Sequence, residues 1–249
     1  MLKLFFKSNF YSEKTYLFFK KWSKRFSIIF CIFLILGFLC GLFFSPSDYY
    51  QRDAFRIMYV HVPTAFLSIM IYIVMSFLGL IFLILESGII IILLDSFVIL
   101  GILMTFLTLI TGSIWGKPMW GTWWVWDARL TSELILFFIY LSIFIVSNSN
   151  YVNRGKNFKI VSILILVGLI DLPIIHYSVV WWSTLHQGST FSFLYGTKIT
   201  FSMYYPLIIT LFGFIIYCFW FIFQKVCYEI VLHEYDSKWV KSFIMLKKL

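Results

Sequence analysis

Long runs of apolar residues alternate with short polar segments along most of the chain. A helix that crosses a bilayer requires about 20 predominantly apolar residues, and six stretches of the sequence meet this requirement. They are residues 26–44, 57–85, 94–114, 130–146, 160–175 and 201–223. Because short loops join them, the pattern predicts an all-α, polytopic membrane protein in which six transmembrane helices form one bundle.

The same pattern divides the chain into a tail at 1–25, a membrane domain at 26–224 with a Trp-rich loop at 115–129, and a second tail at 225–249. One segment, 86–95, is apolar inside and acidic at both ends. We expect it to form the turn between the second and third spans, with part of it at the membrane interface. The alternative is that it lengthens the third span.

Composition agrees with a membrane protein, since 61% of the residues are hydrophobic and only 12% are charged. Soluble domains carry about 25% charged residues. Of the 20 Lys and Arg residues, 15 fall on the side that holds both tails. The positive-inside rule then places both termini in the cytoplasm or organelle matrix and the Trp-rich loop outside. The net charge of +9 fits this topology and attraction to anionic membrane lipid, and no motif for binding nucleic acid is present.

Five of the ten tryptophans fall within twelve residues of the Trp-rich loop. They are Trp115, Trp120, Trp123, Trp124 and Trp126. Indole is large, flat and apolar with one N–H donor, and Gly and Pro interrupt the run too often for the middle of a helix. The cluster indicates a surface for a large flat ligand at the membrane edge. Tryptophan also anchors ordinary membrane proteins at the interface, which is the competing interpretation.

Three of the four histidines, His61, His176 and His186, fall on the same side as these tryptophans, whereas His233 lies in the second tail. A neutral imidazole binds iron well. Two histidines with a tryptophan surface between them would supply both the axial ligands and the apolar contacts that a haem needs. A structural role for each histidine is the alternative at this point.

Charged residues near the span ends have simpler roles. Asp127 would cap the fourth span, because a carboxylate satisfies free N–H groups at a helix N-terminus. Arg129 and Lys117 would pair with ligand carboxylates or extend toward the membrane surface. Glu133 and Asp171 lie near span ends, so we expect neither to be a costly buried charge or part of a proton relay.

Four blocks of sequence carry a family likeness. The longest is the tryptophan signature Trp115-Gly116 followed by Trp120-Gly121-Thr122-Trp123-Trp124-Val125-Trp126-Asp127-Ala128-Arg129-Leu130-Thr131. The others are His61-Val62-Pro63, Asp171-Leu172-Pro173-Ile174-Ile175 and Trp181-Trp182-Ser183-Thr184-Leu185-His186-Gln187. In this order and with six spans, the chain resembles the CcmC family, WWD-domain membrane proteins that handle haem during c-type cytochrome maturation.

The resemblance implies a site and a set of partners. Haem b would be bound transiently on the outer face, with His61 and His186 as its axial iron ligands. The residues of the Trp-rich signature that would hold it are Trp115, Trp120, Trp123, Trp124, Trp126, Asp127 and Arg129. The protein would present haem to the chaperone CcmE, together with the small subunit CcmD and the ABC-type complex of CcmA and CcmB. It would deliver haem and would not be an enzyme.

His176 stands where the family usually has a basic residue. It would be either a third ligand that competes with His186 or a weakly basic partner for a haem propionate, and we favour the second interpretation. A membrane permease for haem and a redox cytochrome subunit of the b type are the alternative functions. The sequence uses 30 Phe and three Ala, a bias typical of AT-rich organellar genomes. It favours a mitochondrial inner membrane with the site facing the intermembrane space, the alternative being a bacterial inner membrane and its periplasmic face.

Overall fold

The computed structural model describes residues 11–149, 154–182, 184–186, 191–192, 196–197 and 199–246. Helices make up nearly all of this part of the chain. They are α1 (Glu13–Leu39), α2 (Met58–Leu85), α3 (Gly88–Trp120), α4 (Ala128–Asn148), α5 (Arg154–Gly168), α6 (Asp171–Trp181), α7 (Phe201–His233) and α8 (Lys238–Leu246). A π-helical segment, Cys40–Phe44, extends α1, and a 3-10 helix, Asp53–Ile57, precedes α2. Two short antiparallel strands, β1 (Phe191–Ser192) and β2 (Gly196–Thr197), pair Phe191 with Thr197.

The predicted six spans are confirmed. Within the described residues, six helical segments are long and apolar enough to cross a bilayer. Their bounds are Glu13–Phe44, Asp53–Leu85, Gly88–Trp120, Ala128–Asn148, Gly155–Trp181 and Phe201–His233. Each observed segment contains one predicted span, so the all-α polytopic fold follows the hydropathy pattern.

Two predicted loops are mostly helix. The 86–95 segment is a turn only at its first two residues, because α3 begins at Gly88, and the alternative of a longer third span is therefore correct. The Trp-rich loop at 115–129 is helical up to Trp120. The helix ends at Gly121, which has φ +77° and donates its N–H to the Lys117 carbonyl, as glycine does at many helix C-termini. Pro118, in the last turn, costs a single hydrogen bond and does not stop α3.

The described parts of the predicted tails, 11–25 and 225–246, are also largely helical. The boundaries drawn at 25/26 and 224/225 lie inside α1 and α7, respectively. The fifth span extends beyond residue 175 and is interrupted by a turn between Gly168 and Asp171, so that α5 and α6 follow one another. The charged residues of the tails do not interrupt α1 and α7, because a helix continues past the apolar region into water.

The core lies between α2, α3, α4, α5 and α7. Tyr140 of α4 packs directly on Gly101 of α3, where a Cβ atom would clash with the tyrosine ring. Its hydroxyl donates to the Ser68 carbonyl of α2 at 2.8 Å. Likewise Tyr72 of α2 donates to the Ile165 carbonyl of α5 at 3.0 Å. These buried hydroxyls are satisfied, as buried polar groups generally are, and they link α2, α4 and α5.

The bundle has two chemically distinct ends. The tryptophan end is where α3 ends and α4 begins. The basic end is where α1 and α3 begin, and there Lys159 forms a salt bridge with Glu86 at 3.0 Å and His233 stacks on Tyr11 at 3.9 Å. Some of the residues counted for orientation lie outside the described residues, namely Lys3, Lys7, Lys198, Lys247 and Lys248.

Candidate functional site

A cavity opens at the tryptophan end, between the first turns of α2 and α4 and the last turns of α3. The space not filled by atoms amounts to about 870 Å³, including the part open to solvent. Its lining combines apolar side chains with two histidines, three tryptophans, one arginine and one glutamate. Mostly apolar walls with a few polar groups are typical of ligand and cofactor sites.

His61 enters the cavity from the first turn of α2. Its Nδ1 lies 3.1 Å from the Thr108 carbonyl oxygen and 3.1 Å from Thr111 Oγ1, both on α3. The Thr111 hydroxyl donates its own proton to the Leu107 carbonyl at 2.6 Å. Nδ1 therefore faces two acceptors and must carry the ring proton, which leaves the lone pair on Nε2. The ring is thus held in the tautomer that binds a metal through Nε2.

The backbone of α3 approaches the His61 ring closely at Gly112. A Cβ atom on Gly112 would lie 3.0 Å from Cε1 of His61, so only glycine leaves this space free. Trp115, one turn further along α3, meets the same ring edge-on with centroids 5.6 Å apart. Thr108, Gly112 and Trp115 recur at helical spacing, and together they form the wall against which His61 rests.

His186 faces His61 from the segment at 184–186. The two ring centroids are 6.5 Å apart and the planes are tilted by 37°. A histidine nitrogen binds a metal ion at about 2 Å, and the ring centroid lies about 1 Å behind it, so two imidazoles on one ion have centroids roughly 6 Å apart. The observed separation is close to this value. The predicted pair is therefore brought together at a distance that suits one iron between them.

The five tryptophans of the predicted site divide into two groups. Trp115, Trp120 and Trp124 line the cavity, and the Trp120 ring lies 6.5 Å from that of His186. Trp123 and Trp126 do not line it, and their side chains are 56% and 77% exposed, respectively. We call the first group the cavity tryptophans and the second group the rim tryptophans.

The indole N–H groups of two cavity tryptophans differ. Trp115 Nε1 donates to Gln51 Oε1 at 2.8 Å, and this bond fixes its ring from the segment that joins α1 to α2. Trp124 Nε1 is buried without a hydrogen-bond partner among the described residues. A buried donor without a partner is unusual, and a ligand in the cavity that offers an acceptor would satisfy it.

Asp127 and Arg129 were both predicted to hold the ligand, but only Arg129 lines the cavity. Asp127 caps α4, with Oδ1 accepting from the Leu130 N–H at 2.8 Å, so the predicted cap is confirmed. Its side chain does not line the main cavity. Arg129 does line it, and Nη1 donates to the Ile175 carbonyl at 2.6 Å. This bond anchors the guanidinium to α6, and its other nitrogens make no hydrogen bond within the described residues.

Lys117 and His176 lie away from the cavity. Lys117 Nζ donates to the Gly121 carbonyl at 3.0 Å and lies over the Trp123 ring. His176 is exposed on α6, beside Tyr177, and is absent from the cavity lining. His176 therefore contributes no side chain to the cavity in this structure.

Glu133 lies at the cavity, a position that the sequence pattern did not predict. It was expected near a span end, yet it lies in the second turn of α4 with only 6% of its surface exposed, and it lines the cavity. The Ser68 hydroxyl donates to its Oε1 at 2.9 Å. Asp171 is likewise buried, at 7% exposed. The spacing of Arg129 and Glu133, one helical turn apart, is the signal that would have placed both side chains on one face of α4.

Comparison with known proteins gives a consistent result along nearly the whole chain. The family model described as CcmC, heme exporter protein C, matches residues 6–241. Heme exporter protein C of Haemophilus influenzae is 42% identical over 228 residues, or 92% of each chain. The protein of that name from Escherichia coli K12 is 40% identical over 214 residues, or 86% of each chain. A putative cytochrome c biosynthesis ccmC-like mitochondrial protein of Marchantia polymorpha is 45% identical over 181 residues, 72% of this chain and 75% of its own.

Proposed function

The chain belongs to the CcmC family of heme exporter proteins, and on this premise we propose that it binds haem in the cavity at the tryptophan end and delivers it during c-type cytochrome maturation. A role in haem handling follows from the family. The observation that supports this particular site is the pair of imidazoles, His61 and His186, with ring centroids 6.5 Å apart across a tryptophan-lined cavity.

Each part of the cavity has a role in holding haem b. His61 Nε2 and the His186 ring are the axial ligands of the iron. The cavity tryptophans contact the faces and edge of the macrocycle, where flat aromatic rings give a large apolar contact. Arg129 pairs with a propionate, since a guanidinium suits a carboxylate. Haem is the cargo, so we assign no catalytic residue and no chemical step to the chain.

The position of the cavity favours delivery over permanent storage. His61 lies in the first turn of α2, close to the end of the bundle, and the cavity is open at that end. A redox cytochrome of the b type would hold its haem permanently, which benefits from a closed site inside the membrane. The rim tryptophans, exposed beside the opening, are the contact surface for the haem chaperone CcmE. CcmD and the ABC-type complex of CcmA and CcmB are the further partners.

Charge supports an orientation with the cavity outside. The basic end carries a large excess of the described Lys and Arg residues, which favours the cytoplasm or the organelle matrix. The cavity then faces the intermembrane space of a mitochondrion or the periplasm of a bacterium. Relatives from both settings are similar to this chain, and the organelle-like composition favours the mitochondrion.

The transfer of haem to the chaperone tests this function. Purified protein loaded with haem is mixed with chaperone free of haem, and covalent haem on the chaperone is detected after denaturing electrophoresis. We expect transfer from the wild type and loss of transfer from His186→Ala, with His176→Ala as the matched control because His176 is exposed outside the cavity. Haem binding without transfer would contradict delivery, and accumulation of haem in vesicles that contain this chain alone would favour a permease.

A further inference from the structure

Thr111 is the side chain of α3 that contacts the Nδ1 atom of His61. Its Oγ1 lies 3.1 Å from Nδ1, while its own proton goes to the Leu107 carbonyl at 2.6 Å. The second acceptor of the Nδ1 proton is the backbone carbonyl of Thr108, which no side-chain substitution removes. Of the two described partners of Nδ1, Thr111 is therefore the one whose hydrogen bond a substitution can remove.

We propose that Thr111 is a positioning residue that tunes His61 as a haem ligand, and this rests on the proposed haem-binding function. The hydroxyl shares the Nδ1 proton with the Thr108 carbonyl, which helps to keep the lone pair on Nε2 for the iron and increases the electron density of the ring. A more electron-rich imidazole stabilises ferric iron more than ferrous iron. Thr111 thereby sets both the affinity of the site for haem and the reduction potential of the bound iron.

The local structure shows why the Thr111 hydroxyl accepts a hydrogen bond from His61 and does not donate one to it. Thr111 lies inside α3, and its hydroxyl donates to the backbone carbonyl of Leu107, four residues earlier, as Ser and Thr often do in helices. Because the hydroxyl donates to backbone carbonyls of α3, Leu107 at 2.6 Å or Thr108 at 3.3 Å, the oxygen faces His61 with lone pairs alone. A free hydroxyl would be able to rotate and donate to Nδ1, which would oppose the Thr108 carbonyl in keeping the proton on that nitrogen.

The test compares Thr111→Val, which has nearly the same shape without the hydroxyl, with Thr111→Ser, which retains it. We expect Thr111→Val to bind haem about tenfold more weakly, at the lower end of the loss seen for partners of metal ligands. If the loss falls on the ferric state, a tenfold change raises the reduction potential by about 59 mV. Thr111→Ser should restore both properties. Haem titration and a redox titration of the absorption spectrum measure them.

Thr105→Val is the matched control. Thr105 lies on the same helix and makes the same bond back to a carbonyl four residues earlier, to Gly101 at 2.8 Å, but its hydroxyl makes no bond to His61. A Thr111→Val protein with the affinity and potential of the wild type would overturn the proposal, as would an equal change in Thr105→Val. A wild type that binds no haem would overturn the proposed function itself, and this inference with it.

Discussion

The rings around the cavity differ in their surroundings, and this difference predicts which of them retain the ligand. Trp124 lines the cavity and keeps an indole N–H without a partner among the described residues, whereas Trp126 is 77% exposed. We expect Trp124→Ala to release haem about tenfold faster, because losing one large apolar contact is worth about 1.5 kcal/mol or more. Trp126→Ala should release haem at the rate of the wild type. Transfer of haem to apomyoglobin measures the release rate.

Equal release rates in the two tryptophan variants would contradict the division into cavity and rim. Trp126→Ala carries a second expectation, because the rim is proposed to contact the chaperone. Its haem should stay bound while loading of the chaperone slows. We therefore expect the retention of haem to depend on Trp124 and the loading of the chaperone to depend on Trp126.

The close contact between Gly112 and His61 gives another prediction. A methyl group on Gly112 would lie 3.0 Å from Cε1 of His61, so the ring must move. We expect Gly112→Ala to weaken haem binding without loss of the folded protein. Gly155→Ala is the matched control, since a Cβ atom there meets nothing within 4 Å. Haem titration of both variants is the measurement, and equal affinities would show that the His61 ring tolerates displacement.

At the scale of the helices, Asp127 caps the N-terminus of α4. Oδ1 accepts the Leu130 N–H at 2.8 Å, and loss of such a cap costs about 1 kcal/mol. We expect Asp127→Ala to lower the midpoint of thermal unfolding in detergent, whereas Asp127→Asn should stay close to the wild type because its amide oxygen still accepts. An Asn variant as unstable as the Ala variant would show that the negative charge, and not the cap, is what matters.

Hydropathy predicted the existence of every span but not the ends of the helices. The apolar run sets where a chain lies in the membrane, while hydrogen bonding sets where the helix stops. Gly116 and Pro118 suggested a break before Trp120, yet α3 continues to Gly121, the residue with a positive φ. One missing N–H in a final turn is a small loss beside the packing of the other residues, so the proline is retained inside the helix.

The site was predicted in part for a similar reason. His61, His186 and the tryptophan signature stand out by residue type, and the structure brings both histidines and three of the five tryptophans to one cavity. Thr111, Gly112 and Glu133 are common residue types, and their importance depends on which faces of α3 and α4 meet. A single sequence shows the periodicity of each helix but not its rotation relative to its neighbours.

The distribution of Lys and Arg over the whole bundle predicts a membrane topology that reporter fusions can test. With the basic end inside, a fusion after Val125 must report the outer compartment and a fusion after Arg154 the inner one. The two sites flank α4, so one span separates them. Reporters of opposite compartment preference, such as alkaline phosphatase and a fluorescent protein, make the readout reciprocal. The reverse result would place the cavity on the inner side and contradict delivery to an outer chaperone.

The proposed haem site depends most on two histidines sharing one iron at the tryptophan end. The direct measurement is the absorption and electron paramagnetic resonance spectrum of the purified, haem-loaded protein, with the wild type beside His61→Ala, His186→Ala and the control His176→Ala. We predict a six-coordinate low-spin haem in the wild type and in His176→Ala, and loss of that spectrum in both other variants. An unchanged spectrum in His61→Ala or His186→Ala would contradict ligation of the iron by these two histidines.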